Sequence, residues 1–221
     1  MDLTAKTVCF IGDSITQGCG ASNEEKYGYV GLFKKAHPEA TVYNFGIGGT
    51  RIAEQRVKPY NPDAPHWDTN PFYTRLENMP NYADLICVFG GTNDYGHGVA
   101  PMGKFGDTTH DTFYGAVSEL IIKLIDKYPY AKIVFFTPLH REAEFTTNSK
   151  PDGDFCLKDY VLAIKETCEY YSIPVLDLYS VSGMQPEIPL IKELFMPDGL
   201  HPNDDGYRKL FNTIDAYVKT L

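Results

Sequence analysis

Five short runs of apolar, β-prone residues punctuate the chain: Thr7 to Ile11, Thr41 to Phe45, Asp84 to Phe89, Lys132 to Thr137 and Val175 to Leu178. Within the first, Val8 to Ile11 is continuously apolar, which is the pattern of a strand covered on both faces. Between the five runs lie stripes at helical spacing. Phe113, Val117, Leu120, Ile121, Leu124, Ile125 and Tyr128 recur every three or four residues, with Thr112 or Asp111 as the cap and Pro129 as the terminator. Tyr160, Val161, Ile164, Cys168 and Tyr171 form a second stripe. Tyr207, Leu210, Phe211, Ile214, Tyr217, Val218 and Leu221 form a third, entered through Asn203, Asp204 and Asp205. Alternation of strand and helix predicts a parallel sheet with helices on both faces. The expected fold class is therefore α/β, a three-layer α/β/α sandwich of flavodoxin-like type with about five parallel strands. The length of 221 residues suits one domain over 1–221, with no internal repeat or low-complexity segment.

Three segments break the periodicity. Lys58 to Tyr73 carries four prolines among Tyr60, His66, Trp67, Phe72 and Tyr73. Tyr95 to His110 is rich in glycine and holds His97, Met102 and Phe105. Leu139 to Phe155 is polar and charged. Long loops in compact domains commonly carry function. The aromatic content of the first two favours folding over a site, with covering of a sheet edge as the alternative. Trp67, Tyr95 and His97 are the candidate substrate contacts. For His97 the alternative is a histidine held by hydrogen bonds within its loop.

The first apolar run ends abruptly at Gly12-Asp13-Ser14. That places the Ser14 hydroxyl where a buried strand gives way to a helix, the edge at which open α/β sheets bind ligands. Asp13 and Ser14 could be only helix caps. A serine nucleophile, however, requires a base, and the base requires an orienting group. Met196-Pro197-Asp198-Gly199-Leu200-His201-Pro202 supplies both: Asp198 and His201 stand three apart in a segment too broken for a helix, so a turn can fold the carboxylate onto the imidazole. Two further stretches follow β-prone runs and offer small residues with donors, Asn44-Phe45-Gly46-Ile47-Gly48-Gly49-Thr50 and Phe89-Gly90-Gly91-Thr92-Asn93-Asp94. Backbone N–H and asparagine amide groups are suited to an oxyanion.

Composition narrows the partners. The formal net charge is −9, which disfavours nucleic acid and anionic membrane surfaces, where Lys and Arg supply affinity. No apolar run approaches the length of a membrane helix, and the N-terminus shows no apolar signal core, so a cytoplasmic location is expected. The five cysteines lack Cys-x-x-Cys spacing and are expected to be reduced; Cys19, just behind Ser14, is either packed or a reactive thiol. His37, His66, His110 and His140 show no metal-ligand spacing, so neither a metal nor a cofactor is expected.

The four blocks, in this order, resemble the SGNH hydrolases, the GDSL family of esterases and lipases. Ser14 matches the nucleophile of the first block, with Ile15 where the family name has leucine. Gly49 matches the second-block oxyanion glycine, in competition with Gly48 and preferred because it precedes the polar pair Thr50-Arg51. Asn93 matches the third-block asparagine, and Asp198 and His201 match the fifth-block Asp-x-x-His. The resemblance implies a Ser14-His201-Asp198 triad, an oxyanion hole from Ser14, Gly49 and Asn93, and no cofactor. It gives Asp13 and Asp94 no chemical step, and Arg51 is either a contact for an anionic or sugar group or a salt-bridge partner. The implied activity is hydrolysis of carboxylic esters, and the aromatic loops favour a short-acyl, acetylated carbohydrate over a lipid. The alternatives are a lipase or lysophospholipase activity, an idle binding module of the same fold, and a phosphate binder built on Gly46-Ile47-Gly48-Gly49. The last lacks a Gly-x-x-x-x-Gly-Lys-Ser/Thr run. The sequence leaves the oligomeric state open.

Overall fold

A computed structural model describes residues 1–55 and 69–221. Trp67 and most of the proline-rich Lys58 to Tyr73 segment lie outside the described residues. The main sheet holds β1 (Thr7–Gly12), β2 (Thr41–Gly46), β3 (Leu85–Phe89), β4 (Lys132–Phe136) and β7 (Val175–Leu176), all parallel and ordered β2-β1-β3-β4-β7. A separate two-stranded antiparallel hairpin is formed by β5 (Asn148–Lys150) and β6 (Gly153–Phe155). The helices are α1 (Ser14–Gln17), α2 (Glu24–Tyr27), α3 (Tyr29–Ala36), α4 (Thr92–Gly96), α5 (Phe113–Lys127), α6 (Leu157–Tyr170), α7 (Leu178–Val181), α8 (Pro189–Phe195) and α9 (Asp204–Thr220), with a 3-10 turn at Phe72–Asn78. The expected three-layer architecture and the five parallel strands are what the molecule shows.

The layers follow from strand geometry. Successive side chains of a strand point to opposite faces. Cys9 and Ile11 join one buried cluster with Ile86, Val88 and Phe135, covered by Val117, Leu120 and Ile121 of α5 and Tyr160 and Ile164 of α6. Val8 and Phe10 join the other with Cys87, Val134 and Phe136, covered by Tyr29 and Phe33 of α3 and Leu210 and Ile214 of α9. Each fully buried side chain of this size contributes roughly 1.5–3 kcal/mol. Helix starts are set by side-chain caps: Thr112 accepts from the Gly115 N–H, and Asn203 from the Gly206 N–H.

Register brings the candidate site segments to one edge. Gly12 pairs with Gly46 on one side and Phe89 on the other, so β1, β2 and β3 end level. Gly12 is required there by close approach: a Cβ would stand 2.6 Å from the Phe89 carbonyl oxygen and closer still to the Thr16 hydroxyl. The polar Leu139 to Phe155 segment is not a plain loop, since it folds the β5–β6 hairpin.

Candidate active site

Ser14 opens α1 immediately after β1 and is 7% exposed. Asp13 precedes it as the cap, its Oδ1 accepting from the Ile15 N–H at 3.0 Å. Burial pushes the Asp13 carboxyl up to about 6, against the pull of that N–H. The Ser14 Oγ lies 2.9 Å from His201 Nε2, and His201 Nδ1 lies 2.7 Å from Asp198 Oδ2. An ionised carboxylate only accepts, so Nδ1 carries the ring proton and Nε2 accepts from the serine hydroxyl. Asp198 Oδ1 accepts from the N–H groups of Leu200 at 2.8 Å and His201 at 2.7 Å, closing the turn on itself. Desolvation pushes the Asp198 carboxyl up, but these bonds and the imidazole outweigh it and leave the group below its ordinary value.

This loop is tied to the segment after Ser14 by more than the Ser14–His201 contact. Ser22 donates through its N–H and hydroxyl to Asp204 at 2.8 and 2.7 Å, and the Tyr207 hydroxyl donates to the Cys19 carbonyl at 2.7 Å. Cys19 is half-buried, and its thiol lies 3.4 Å from Glu24 Oε1. Burial and that carboxylate push the thiol up to about 11, which keeps it protonated.

The second and third blocks meet beside Ser14. Ile47 donates to the Gly12 carbonyl at 3.1 Å, which docks the β2 exit turn on the β1 exit. The Gly48 N–H donates to Gln17 Oε1 at 2.8 Å. Gly49 follows with φ +76°, a left-handed conformation that favours glycine. Asn93 lies in the first turn of α4 and is 4% exposed. Its Nδ2 donates to the Thr50 carbonyl at 3.0 Å and its Oδ1 accepts from His97 Nε2 at 3.1 Å. His97 Nδ1 in turn meets a terminal guanidinium nitrogen of Arg51, which also donates to the His97 carbonyl at 3.0 Å. Next to Asn93, Asp94 accepts from the N–H groups of Ile52 and Ala53 at 3.0 and 2.9 Å, and burial pushes its carboxyl up to about 6.

Of the three candidate substrate contacts, His97 stands in this network and is exposed, whereas Tyr95 does not face the site. Tyr95 is 3% exposed, packs edge-on to Tyr160, and its hydroxyl reaches the carbonyls of Ala143 and Thr146 at 2.7 and 2.8 Å. Its bulk is part of the core because α4 turns that face toward α6. Trp67 lies outside the described residues.

The residues that hold these blocks carry no local sequence signature. Arg75, 4% exposed, donates to the carbonyls of Gly12 and Phe45 (the latter at 2.9 Å) and to the Thr50 hydroxyl, so one buried guanidinium joins the ends of β1 and β2 to the turn before Arg51. Burial lowers its pKa to about 10, and its flat face lies 4.6 Å from the Phe72 ring centroid. Lys150 and Asn148 of β5 cap the last carbonyls of α4: Lys150 reaches Asp94 O at 3.1 Å and also Gly98 O, and Asn148 reaches Tyr95 O at 2.7 Å. Arg141 holds the other end at Thr92 O, 3.1 Å. No periodicity flags such residues; the nearest signal is an arginine flanked by Phe72 and Leu76.

Among the described residues no group of three or more His, Cys, Asp or Glu side chains is placed to hold a metal ion. None of their helices is long and apolar enough to cross a membrane.

Residues 10–209 match the model of the GDSL-like lipase/acylhydrolase family, and the chain belongs to that family. A solved structure 36% identical to the chain superposes with a TM-score of 0.83, covering 100% of this chain and 99% of its own. A protein from Lactobacillus plantarum is 28% identical, with 99% of each chain covered and a TM-score of 0.81. A two-domain esterase active on acetylated mannans shares the fold at 20% identity and a TM-score of 0.62, with 97% of this chain and 48% of that one covered. No curated protein sequence matches the chain.

Proposed function

We propose that the chain is a serine esterase that transfers an acyl group from a short-chain carboxylic ester to Ser14 and then to water. The observation that carries the reading is the continuous contact from Ser14 Oγ through the His201 ring to Asp198, at 2.9 and 2.7 Å. Ser14 Oγ attacks the ester carbonyl carbon while His201 Nε2 takes its proton. Asp198 holds Nδ1–H and stabilises the imidazolium without accepting that proton. The oxyanion is received by the N–H groups of Ser14 and Gly49 and by the second N–H of the Asn93 amide. Gly49 is favoured over Gly48 because the Gly48 N–H is already committed to Gln17. Collapse expels the alcohol with the proton from His201. Water then opens the acyl-enzyme, with His201 again as base.

For the substrate we favour an O-acetyl group on carbohydrate. The support is the fold shared with the esterase active on acetylated mannans and the aromatic composition of the loop regions. One observation favours a longer acyl chain instead: Ile188, Leu190 and Leu194 stand exposed on and beside α8, directly ahead of the Asp198–His201 loop. Hydrolysis of p-nitrophenyl esters of increasing chain length, beside a panel of acetylated mono- and oligosaccharides, decides between them. Preference for acetyl supports the first reading; preference for chains of about eight carbons or more overturns it, because each further buried CH₂ contributes roughly 0.8 kcal/mol only where an apolar channel receives it. A serine-directed fluorophosphonate is expected to label Ser14 stoichiometrically, and absence of labelling overturns the esterase itself.

A further inference from the structure

We propose that His97, its ring gripped by Arg51, is a positioning residue that fixes the Asn93 side-chain amide in its donating orientation. The inference rests on the proposed esterase reaction and adds to it a pair of residues that touch no reacting atom. An asparagine amide has two ends of nearly equal size and opposite hydrogen-bonding sense, so a buried one is oriented only by what surrounds it. Here both ends are specified. The Thr50 carbonyl can only accept, and it takes one N–H of Asn93 at 3.0 Å; His97 Nε2 stands 3.1 Å from Oδ1. Rotating the amide by half a turn would set Oδ1 against the Thr50 carbonyl oxygen.

The second contact holds only if Nε2 carries the ring proton, and Arg51 provides for that. A guanidinium has donors and no acceptor, so His97 Nδ1 beside it must accept and the proton must sit on Nε2. The bond from Arg51 to the His97 carbonyl at 3.0 Å holds the guanidinium across both groups. The result is a one-way chain of donors, Arg51 to His97 to Asn93, ending at the amide whose second N–H is the proposed oxyanion donor. Hydrogen bonding at the amide oxygen strengthens the amide as a donor at its nitrogen, so the chain polarises the group it orients. In the other ring tautomer Nε2 would be an acceptor facing Oδ1, and the two would repel.

His97 is exposed, whereas Asn93 and Arg51 are both 4% exposed. Its ring can therefore be replaced without opening the core. His97→Leu is expected to lower kcat for a short-chain ester roughly 10-fold, less than loss of the donor itself, with KM nearly unchanged. His97→Gln keeps an N–H for Asn93 and an oxygen for Arg51, and is expected to recover most of that loss. In an Asn93→Ala background His97→Leu is expected to cost nothing further, since its effect passes through the missing amide. An equal cost in both backgrounds, or full activity of His97→Leu, overturns the proposal. A measurement free of catalysis separates it from the esterase reading: imidazole ¹⁵N shifts, assigned with His97→Gln, are expected to show the Nε2–H tautomer. An Nδ1–H tautomer overturns the relay whatever Ser14 does, and inactivity of the parent enzyme on every ester, with the Nε2–H tautomer present, overturns the esterase and leaves the amide orientation standing.

Discussion

Asp198 and His201 stand three residues apart on a partly exposed loop whose geometry comes mostly from the loop itself. The Asp198 side chain is 53% exposed, and the bonds that set it run to Leu200 and His201. Asn93 and Thr50 stand 43 residues apart in sequence, are 4% and 1% exposed, and are held by Arg75, by Arg51, and by Asp94 and His97 of α4 and its end, from three segments. The proposed acid–base half is therefore expected to tolerate small movements of its loop and still close on Ser14. The proposed oxyanion half is held more tightly, because Asn93, Thr50 and Arg75 are buried and joined to one another and to the strand ends by hydrogen bonds. On the proposed roles, rigidity lies where charge must be met at a fixed point, and tolerance lies where a proton is handed over.

That contrast is tested by separating activity from stability. Ser14→Ala is expected to lower kcat/KM for a short p-nitrophenyl ester by at least ~10³-fold while leaving the melting temperature close to the parent's. Most of the activity surviving in a folded variant would remove Ser14 from the chemistry. Asn93→Ala is expected to lower kcat by roughly 10²–10³-fold, with less change in KM. Unlike Ser14→Ala it should also cost stability, since the Thr50 carbonyl loses its partner; urea unfolding checks this, and an effect on KM alone would make Asn93 a binding residue.

Arg75→Met leaves all the proposed reacting groups in place and removes the joint beneath them. A loss of about 2–4 kcal/mol is expected from urea midpoints, since buried carbonyls and a threonine hydroxyl lose a charged donor. A cost below about 0.5 kcal/mol would show that the buried half is held by packing alone.

The smallest effect concerns pH. The folded-state value of Asp94, about 6, lies above its ordinary 3.8. Between those values the native protein binds more protons at this site than the unfolded chain, so the site's contribution to stability is full below about 3.8 and is lost as pH rises through about 6. Asp198 runs the other way: its depressed value gives stability that is lost as pH falls. Asp94→Asn should therefore lag the parent more at pH 4 than at pH 7, read from urea midpoints at both; a lag that grows with pH contradicts the buried carboxyl.

The same division decides how much could be read in advance. The strands were legible because apolar runs such as Val8 to Ile11 leave no other place for the chain to go. The caps at Thr112 and Asn203 were legible because capping is local. Asp-x-x-His was legible for the same reason. Arg75 was not, since nothing within several residues of it says that it will end under Gly12 and Phe45. The hairpin at Asn148–Lys150 and Gly153–Phe155 and the five-residue α4 were too short to show a period. Tyr95 follows Asn93 closely in sequence, but a helical turn swings neighbours apart, and its ring lies in the core.

Ser14 and His201 are 187 residues apart in sequence. At roughly 5–20 residues per second of synthesis, a ribosome makes the serine roughly 10–40 s before the histidine. Throughout that interval the nascent chain carries an ordinary alcohol, with no base to take its proton and no reason to react with the esters around it. The proposed chemistry starts only when α9 docks and Asp204 and Tyr207 latch onto the Cys19–Ser22 segment. On the proposed mechanism, order of manufacture acts as a safety catch, and a chain that stalls late in translation is a harmless one.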